Sequence, residues 1–425
     1  MIFSKLTLVN LIYVLTSVVT LIFVINQGAI YFPDSEGYLQ MVVFRSCGYP
    51  FFIAFHRYLF GENYISALIL TQFVATILAG LFLINSIRKS VQLNKWHSVI
   101  LFIAIILPVF TGIKTANLIL SEAIAYPLYL FIIGNIILGI AHKQNKKFYL
   151  SLILTFILIL VRSQFLFLIP VLLISVLLTY GKLLFCKKNL FLLIVIISMP
   201  FSAVAVDITF HKLRHNHAVT TPWTGIQVAA IPFFVSDKDD YLLFENENQQ
   251  NYFKFIYNKL DEKKLLQNNL PENIDEKDFF YENYCNISNF TISDDGLNFF
   301  NKNLSYEEKI ILNDKMSLSI TASLIKNNLS KWITIYKKNV FRGIGEIQSL
   351  FFILMLLFLN SFMLYKKEEF ISKFIILLCF LIIGNIALVG IAEPVIERYT
   401  YYNNWIILAI FLLLFQNYFQ KKTNE

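Results

Sequence analysis

Two carboxylates stand in the stretch Pro33-Asp34-Ser35-Glu36-Gly37-Tyr38-Leu39, directly after the first long apolar run of the chain, and Arg45 and Gly48-Tyr49-Pro50 follow closely. Acids at the rim of a bilayer are expensive and are retained for chemistry, ion passage or pairing. A carboxylate held beside a hydroxyl can take its proton as that hydroxyl attacks a sugar or acyl centre. Asp34 is therefore the first candidate for a general base, with Glu36 second. The structural alternative is that Asp34 only caps a short interfacial helix, a position that suits Asp.

Cations that could face the same chemistry are spread along the chain. Arg162 interrupts the apolar run Leu152–Leu173, where an arginine at mid-membrane costs at least ~2.5–3.5 kcal/mol. A planar guanidinium in such a place suits a phosphate; the plainer reading is an arginine snorkelling from a helix end. Arg398, in Glu397-Arg398-Tyr399, and Lys114 are similar candidates for stabilising a departing lipid phosphate, with Tyr399 beside them. Arg45, Arg57 and Glu122 complete the set as supporting groups, although Glu122, in Leu120-Ser121-Glu122, also suits the dipole at a helix start.

His211 and His215 would share a helix face that a metal could use. Lys212 and Arg214 interleave and no cysteine is near, so no metal site is assigned. Gly-rich phosphate loops and the GxSxG and HExxH patterns are absent, which argues against a nucleotide-driven enzyme, and no cofactor is expected. The four cysteines form no CxxC pair; Cys47 and Cys285 both fall on the expected outer side, so a disulfide between them stays open.

The elements that must position these groups are apolar helices. Hydrophobic residues make up 57% of 425 and charged residues only 15%, too few to coat a soluble protein of this size. Mean hydropathy is +0.61. The net charge of +8 lies in short clusters such as Arg88/Lys89/Lys95, Lys143/Lys146/Lys147, Lys182/Lys187/Lys188, Lys366/Lys367 and Lys421/Lys422. These mark the cytoplasmic ends of spans rather than a nucleic-acid surface.

Threading on that rule gives about ten transmembrane helices, at about 6–26, 64–86, 97–112, 123–141, 148–161, 164–181, 189–206, 347–365, 371–391 and 405–419. The fold class is thus an all-α polytopic membrane protein. A membrane domain covers residues 1–206, with helices 1–7 and a catalytic first outer loop, and helices 8–10 occupy 346–425. Between them, residues 207–345 form a small, mainly helical extracytoplasmic domain, with helix-like spacing over Tyr252–Leu266 and Tyr306–Leu329. Asp34, Glu36, Arg45, Arg57, Lys114, Glu122, Arg162, Glu393, Glu397 and Arg398 all fall on the outer side, and a single outward-facing site explains them most simply.

In order and sidedness these residues resemble the GT-C class of integral membrane glycosyltransferases, which use polyprenyl-phosphate sugars. Asp34 matches the acid of the first outer loop, Arg45 through Gly48-Tyr49-Pro50 the juxtamembrane stretch after it, and Leu120-Ser121-Glu122 with Tyr126-Pro127-Leu128 the second-loop motif. Glu397-Arg398-Tyr399 is similar to the late Arg-Tyr motif of protein mannosyltransferase and aminoarabinose-transferase relatives. The resemblance implies a GT-C-like fold and transfer of a sugar with inversion. Asp34 would act as base, and Arg398, Lys114 or Arg162 would meet the lipid phosphate without a metal. The lipid tail would lie near Phe51–Phe60, and the acceptor would be an envelope glycan or glycolipid such as lipopolysaccharide O-antigen. The partners are then the lipid-linked donor, the acceptor and membrane lipids, not nucleic acid. The Lys-, Asn-, Ile- and Phe-rich composition suggests a bacterium, placing the protein in its inner membrane with the site facing out of the cytoplasm. Two other readings remain: a polysaccharide polymerase using a diphosphate-linked donor, and a lipid or glycan transporter or flippase, against which stands the lack of an internal repeat.

Overall fold

The computed structural model describes residues 7–270, 273–367 and 369–424; side chains from residue 419 on, Lys421 and Lys422 included, lie outside the described set. Among the described residues the chain is helical, without a β-strand; one parallel bridge joins Ile30 to Leu118. Seven stretches are long and apolar enough to cross a membrane: Leu8–Gln27, Gly48–Val91, Glu122–His142, Ser163–Phe185, Asn189–His215, Glu346–Lys366 and Phe370–Ala392. The chain is an integral membrane protein of the helical type.

In chain order the membrane part opens with α1 (Leu8–Gln27), the short α2 (Ser35–Gln40) and α3 (Gly48–Phe60), and the long α4 (Tyr64–Val91). Then come α5 (Lys95–Ile106), α6 (Glu122–His142), α7 (Asn145–Val161), α8 (Leu168–Tyr180) and α9 (Lys187–His215). Helix α6 is apolar on every side and lies at the centre, with nearly all of its residues buried. Helices α1 and α9 instead turn leucines, isoleucines and phenylalanines outward, Phe201 and Ile25 among them, as a lipid-facing surface should. Glycines set two of the closest approaches to α6: a Cβ at Gly134 would strike the Phe82 ring of α4, and one at Gly139 the Phe148 ring of α7.

Helix α9 differs from its expected extent. It runs nine residues past 206 and carries Asp207 and His211 up into the polar region. The polar region then folds as α10 (Thr224–Phe234), α11 (Glu247–Glu262), α12 (Glu276–Cys285), a wider-wound turn at Asn286–Asp294, α13 (Tyr306–Asn327) and α14 (Leu329–Ile344). Its core is separate from that of the membrane part and is built from Ile226, Phe233, Phe234, Phe253, Ile256, Phe280, Ile310 and Ile320 among others. The expected helices correspond to α11, shifted by a turn, and α13. Helix α10 was not expected; its uncharged run Gly225–Val235 is a short buried core helix. The chain returns to the membrane through α15 (Glu346–Lys366), α16 (Phe370–Ala392), the single turn α17 (Glu397–Thr400) and α18 (Asn404–Asn424).

Helix α10 starts against α13 with no space to spare. The Asp314 carboxylate accepts the Gly225 and Ile226 N–H groups at 2.6 and 3.2 Å, satisfying two orphan donors of that helix. A Cβ at Gly225 would lie 2.1 Å from the Asp314 carbonyl oxygen, which backbone cannot yield. Gly225→Ala is expected to destabilise the polar domain by about 3 kcal/mol or more. Limited proteolysis of the purified protein would show this as rapid cleavage within 220–340; an unchanged digestion pattern would refute it.

Candidate functional site

The site begins where α1 stops. Gly28, at φ +64°, ends the helix with its N–H on the Val24 carbonyl. The chain then pairs with the loop before α6: Ile30 donates to Asn117 O at 2.9 Å and accepts from Ile119 N at 3.0 Å. Asn117 fixes the same turn by donating to the Val24 and Gly28 carbonyls. The loop after α1 and the loop before α6 are thereby locked together, Asp34 on one and Glu122 at the end of the other.

Asp34 occupies the residue before α2, yet its side chain makes no capping bond. Its Oδ1 instead accepts from Arg45 Nη2 at 2.7 Å and its Oδ2 from Arg398 Nη2 at 3.1 Å. Arg398 also donates through Nε to Glu122, and Arg162 Nη1 reaches the same Glu122 oxygen at 2.8 Å. A continuous chain of charge thus runs Arg45–Asp34–Arg398–Glu122–Arg162, drawn from four separate segments. The Glu122 side chain is fully buried, whereas Asp34 and Arg398 keep 36% and 29% exposure. The accessible end of the network is therefore the Asp34–Arg398 pair.

A second set of groups holds these in place. Ser121 Oγ lies 3.4 Å from Arg162 Nη1 and 3.1 Å from the Tyr38 hydroxyl. Arg162 Nε donates to Gln164, whose amide donates to Asn385 Oδ1 and to the Tyr399 carbonyl. The Arg162 guanidinium lies over the Tyr399 ring at 5.2 Å, and the Tyr399 hydroxyl donates to Glu393 at 2.9 Å. Arg45 covers the Tyr38 ring at 4.8 Å. Two glycines of the first loop make the fit possible. A Cβ at Gly37 would sit 3.0 Å from Arg45 Nε, and one at Gly48 only 2.6 Å from the Val161 backbone nitrogen, next to Arg162. Gly48 lets the start of α3 press on the end of α7, and so fixes where Arg162 emerges.

The polar domain rests on this loop. Val43 is buried in the domain's core, Phe44 packs on Trp223 at 5.3 Å, and the Val43 carbonyl meets His211 Nε2 at 2.7 Å. Tyr284 and Cys285, at the end of α12, feel the charge of groups in the cluster: Tyr284 that of Glu393 and Tyr399, Cys285 that of Glu393 and Asp34. Cys47 and Cys285 are both free, one buried and the other exposed, so they form no disulfide. His211 has both ring nitrogens on backbone carbonyls, and His215 is bonded to Glu307. Among the described residues no three of His, Cys, Asp and Glu are grouped for a metal.

Of the residues singled out from sequence, Asp34, Arg45, Glu122, Arg162, Arg398 and Tyr399 come together. Glu36, Lys114 and Arg57 do not. Glu36 is exposed and accepts from Gln40, Lys114 donates to Gln27, and Arg57 lies over Tyr64. Ser121, Gln164, Asn385 and Tyr38 join the site without having been singled out as site residues. The available signal was a polar side chain at the end of, or inside, an apolar run.

Burial works to raise the Asp34 carboxyl, but the Arg45 and Arg398 guanidiniums outweigh it and hold the group below the usual carboxylate range. For Glu393 burial prevails over the Tyr399 hydroxyl and the two arginines, and pushes it up. The resting cluster therefore presents an ionised but weakly basic Asp34, sharing its two cations with whatever anion approaches. Such an arrangement can bind an anionic group at Arg398 and accept a proton at the oxygen released. No family model, no curated protein and no solved structure matches the chain.

Two outcomes test the cluster. Removing Glu122 leaves the Arg162 guanidinium without a carboxylate and Arg398 with Asp34 alone, so Glu122→Ala is expected to lower stability by about 3–5 kcal/mol, read from unfolding of the purified protein in detergent; a loss below about 1 kcal/mol would contradict the arrangement. A depressed folded-state carboxyl stabilises above its unfolded value and loses that contribution as pH falls through the folded one. Melting temperature should consequently fall more steeply in the parent than in Asp34→Asn at acid pH, below about pH 4. Parallel curves would count against the Asp34 pairing.

Proposed function

We propose that the protein is a membrane-embedded glycosyltransferase of the GT-C type, moving a sugar from a polyprenyl-phosphate donor to an envelope glycan or glycolipid. The observation that carries this reading is the convergence of three arginines on Asp34 and Glu122 at one membrane end, together with the motif order described above. The reading takes the shorter helices α5 and α7, and α18, as further crossings beside the seven stretches named above, giving about ten. It sets the cluster on the extracytoplasmic face of a bacterial inner membrane.

In this mechanism the donor phosphate takes over Arg398 Nη2 from Asp34, with Arg162 behind it. The freed Asp34 oxygen accepts the proton of the acceptor hydroxyl as that oxygen attacks the anomeric carbon. The bond from the sugar to the phosphate oxygen breaks on the opposite face, and the lipid phosphate leaves with the electron pair, neutralised by the arginines. Exchange of partners on Arg398 relieves part of the restraint that keeps Asp34 weakly basic. The outward aromatic face of α3, with Phe51, Phe55 and Tyr58 exposed, offers a surface for the isoprenoid tail. The polar domain, with Tyr284 and Cys285 over the cluster, would choose the acceptor.

The test is transfer of labelled sugar from a panel of polyprenyl-phosphate donors by the purified full-length protein. Asp34→Asn is expected to lower turnover about 10²–10⁴-fold, and Arg398→Ala to reduce it with a weaker apparent donor affinity. If no donor turns over, or Asp34→Asn equals the parent, the assignment fails. Turnover of diphosphate-linked repeat units alone would favour a polymerase.

A further inference from the structure

At the membrane end opposite the Asp34 cluster, the turn between α4 and α5 is built with unusual care. Helix α4 stops at Gln92, which takes the left-handed conformation at φ 53°. Asn94 caps α5 by accepting from Trp96 N at 2.8 Å. Gln416 of α18 clamps the turn from both sides: its carbonyl oxygen accepts from Asn94 N at 2.7 Å and its amide donates to Gln92 O at 3.0 Å. A side chain from the last helix, more than three hundred residues away, thus fixes the backbone of a three-residue connection.

Around this turn Arg88, Lys89 and Lys95 line an open concavity of about 650 Å³ with Asn85, Gln92, Asn94 and Trp96. None of the three cations pairs with a carboxylate among the described residues. Arg88 Nε is buried without a hydrogen-bond partner, as are Ser90 Oγ and His97 Nδ1 close by. Lys95 occupies the first position of α5, where the helix dipole opposes a cation. Trp96 is half exposed beside them, as a tryptophan at a bilayer interface is.

Orientation marking alone would account for basic side chains here, since solvated lysines suffice for it. It does not account for three cations gathered without a carboxylate around one concavity, or for a cation set against a helix dipole on a turn that a distant glutamine fixes. An anion with several acceptor oxygens in the concavity supplies those cations with a partner and offsets the placement of Lys95 against the dipole.

We propose that this turn is a binding site for a phosphate group, with Arg88, Lys89 and Lys95 as its cations and the amino end of α5 beside them. Two sources present that chemistry at a membrane surface: the headgroup of an anionic phospholipid and free phosphate. A lipid would place its glycerol backbone against Trp96 and its chains along α4 and α5.

The experiment titrates the detergent-purified full-length protein with short-chain phosphatidylglycerol, with phosphatidylcholine of the same chains, and with inorganic phosphate at matched ionic strength, reading the shift in melting temperature. Saturable stabilisation by phosphatidylglycerol and none by phosphatidylcholine is expected. Arg88→Gln/Lys95→Gln should weaken it about 25-fold, at about fivefold per cation removed. Lys95→Gln alone, at an exposed position, should weaken it about fivefold and keeps the test informative if the double variant misfolds. Stabilisation by inorganic phosphate that competes with the lipid keeps the site and assigns it to a soluble ligand. Equal stabilisation by both lipids, or titrations unchanged in Lys95→Gln, would overturn the proposal.

Discussion

Three guanidiniums gathered at one end of an apolar helix bundle must each find an anion, and much of the outer structure follows from that requirement. Water cannot satisfy Arg162 or the inner side of Arg398 where they lie, so Glu122 is buried between them despite its own desolvation. Asp34 then closes the chain to Arg45. Each charge is tolerable only because the next is in place. The network therefore couples the loop after α1, the start of α6, the break after α7 and the turn before α18 into one unit.

The loop between α1 and α3 is the piece on which this unit turns. It is bonded to the second loop through Ile30, pressed on the end of α7 through Gly48, and buried in the polar domain through Val43. Asp34 and Arg45 lie between those three attachments. A movement of the polar domain would be transmitted to Arg45 through the adjacent Phe44, and a movement of α7 to Arg162 through the residue beside it. The large insertion between the membrane halves is thus mechanically continuous with the charged cluster, rather than a separate appendage.

Within the cluster the two acids have different surroundings. Glu122 is enclosed and bound by two arginines, an arrangement suited to holding geometry. Asp34 is partly exposed, and one of its two partners is the more accessible Arg398. An arriving anion would compete most easily for that contact, because the pair closest to water has the least electrostatic energy to lose. The distinction between a framework acid and an exchangeable one comes from burial, not from residue type.

The sequence by itself determined the class of fold, because crossing a bilayer demands uninterrupted apolar runs that are local and countable. It also singled out most of the charges that come together, because charged residues next to apolar runs are few and easily seen. The start of α13 at Tyr306 was legible from the apolar spacing that begins there. The continuation of α9 past Asp207 and the buried α10 were not legible, since partners elsewhere in the chain decide them. Sequence ranked Asp34 ahead of Glu36 but could not show that Asp34 has arginine partners, nor separate Arg162 and Arg398 from Lys114 and Arg57: all are charged residues next to apolar segments. Asp34 meets Arg398 across 364 positions, and Gln164 meets Asn385 across 221. Only the tertiary structure decides such pairs, because hydrophobic pattern is a property of neighbours in the chain while charge pairing is a property of neighbours in space.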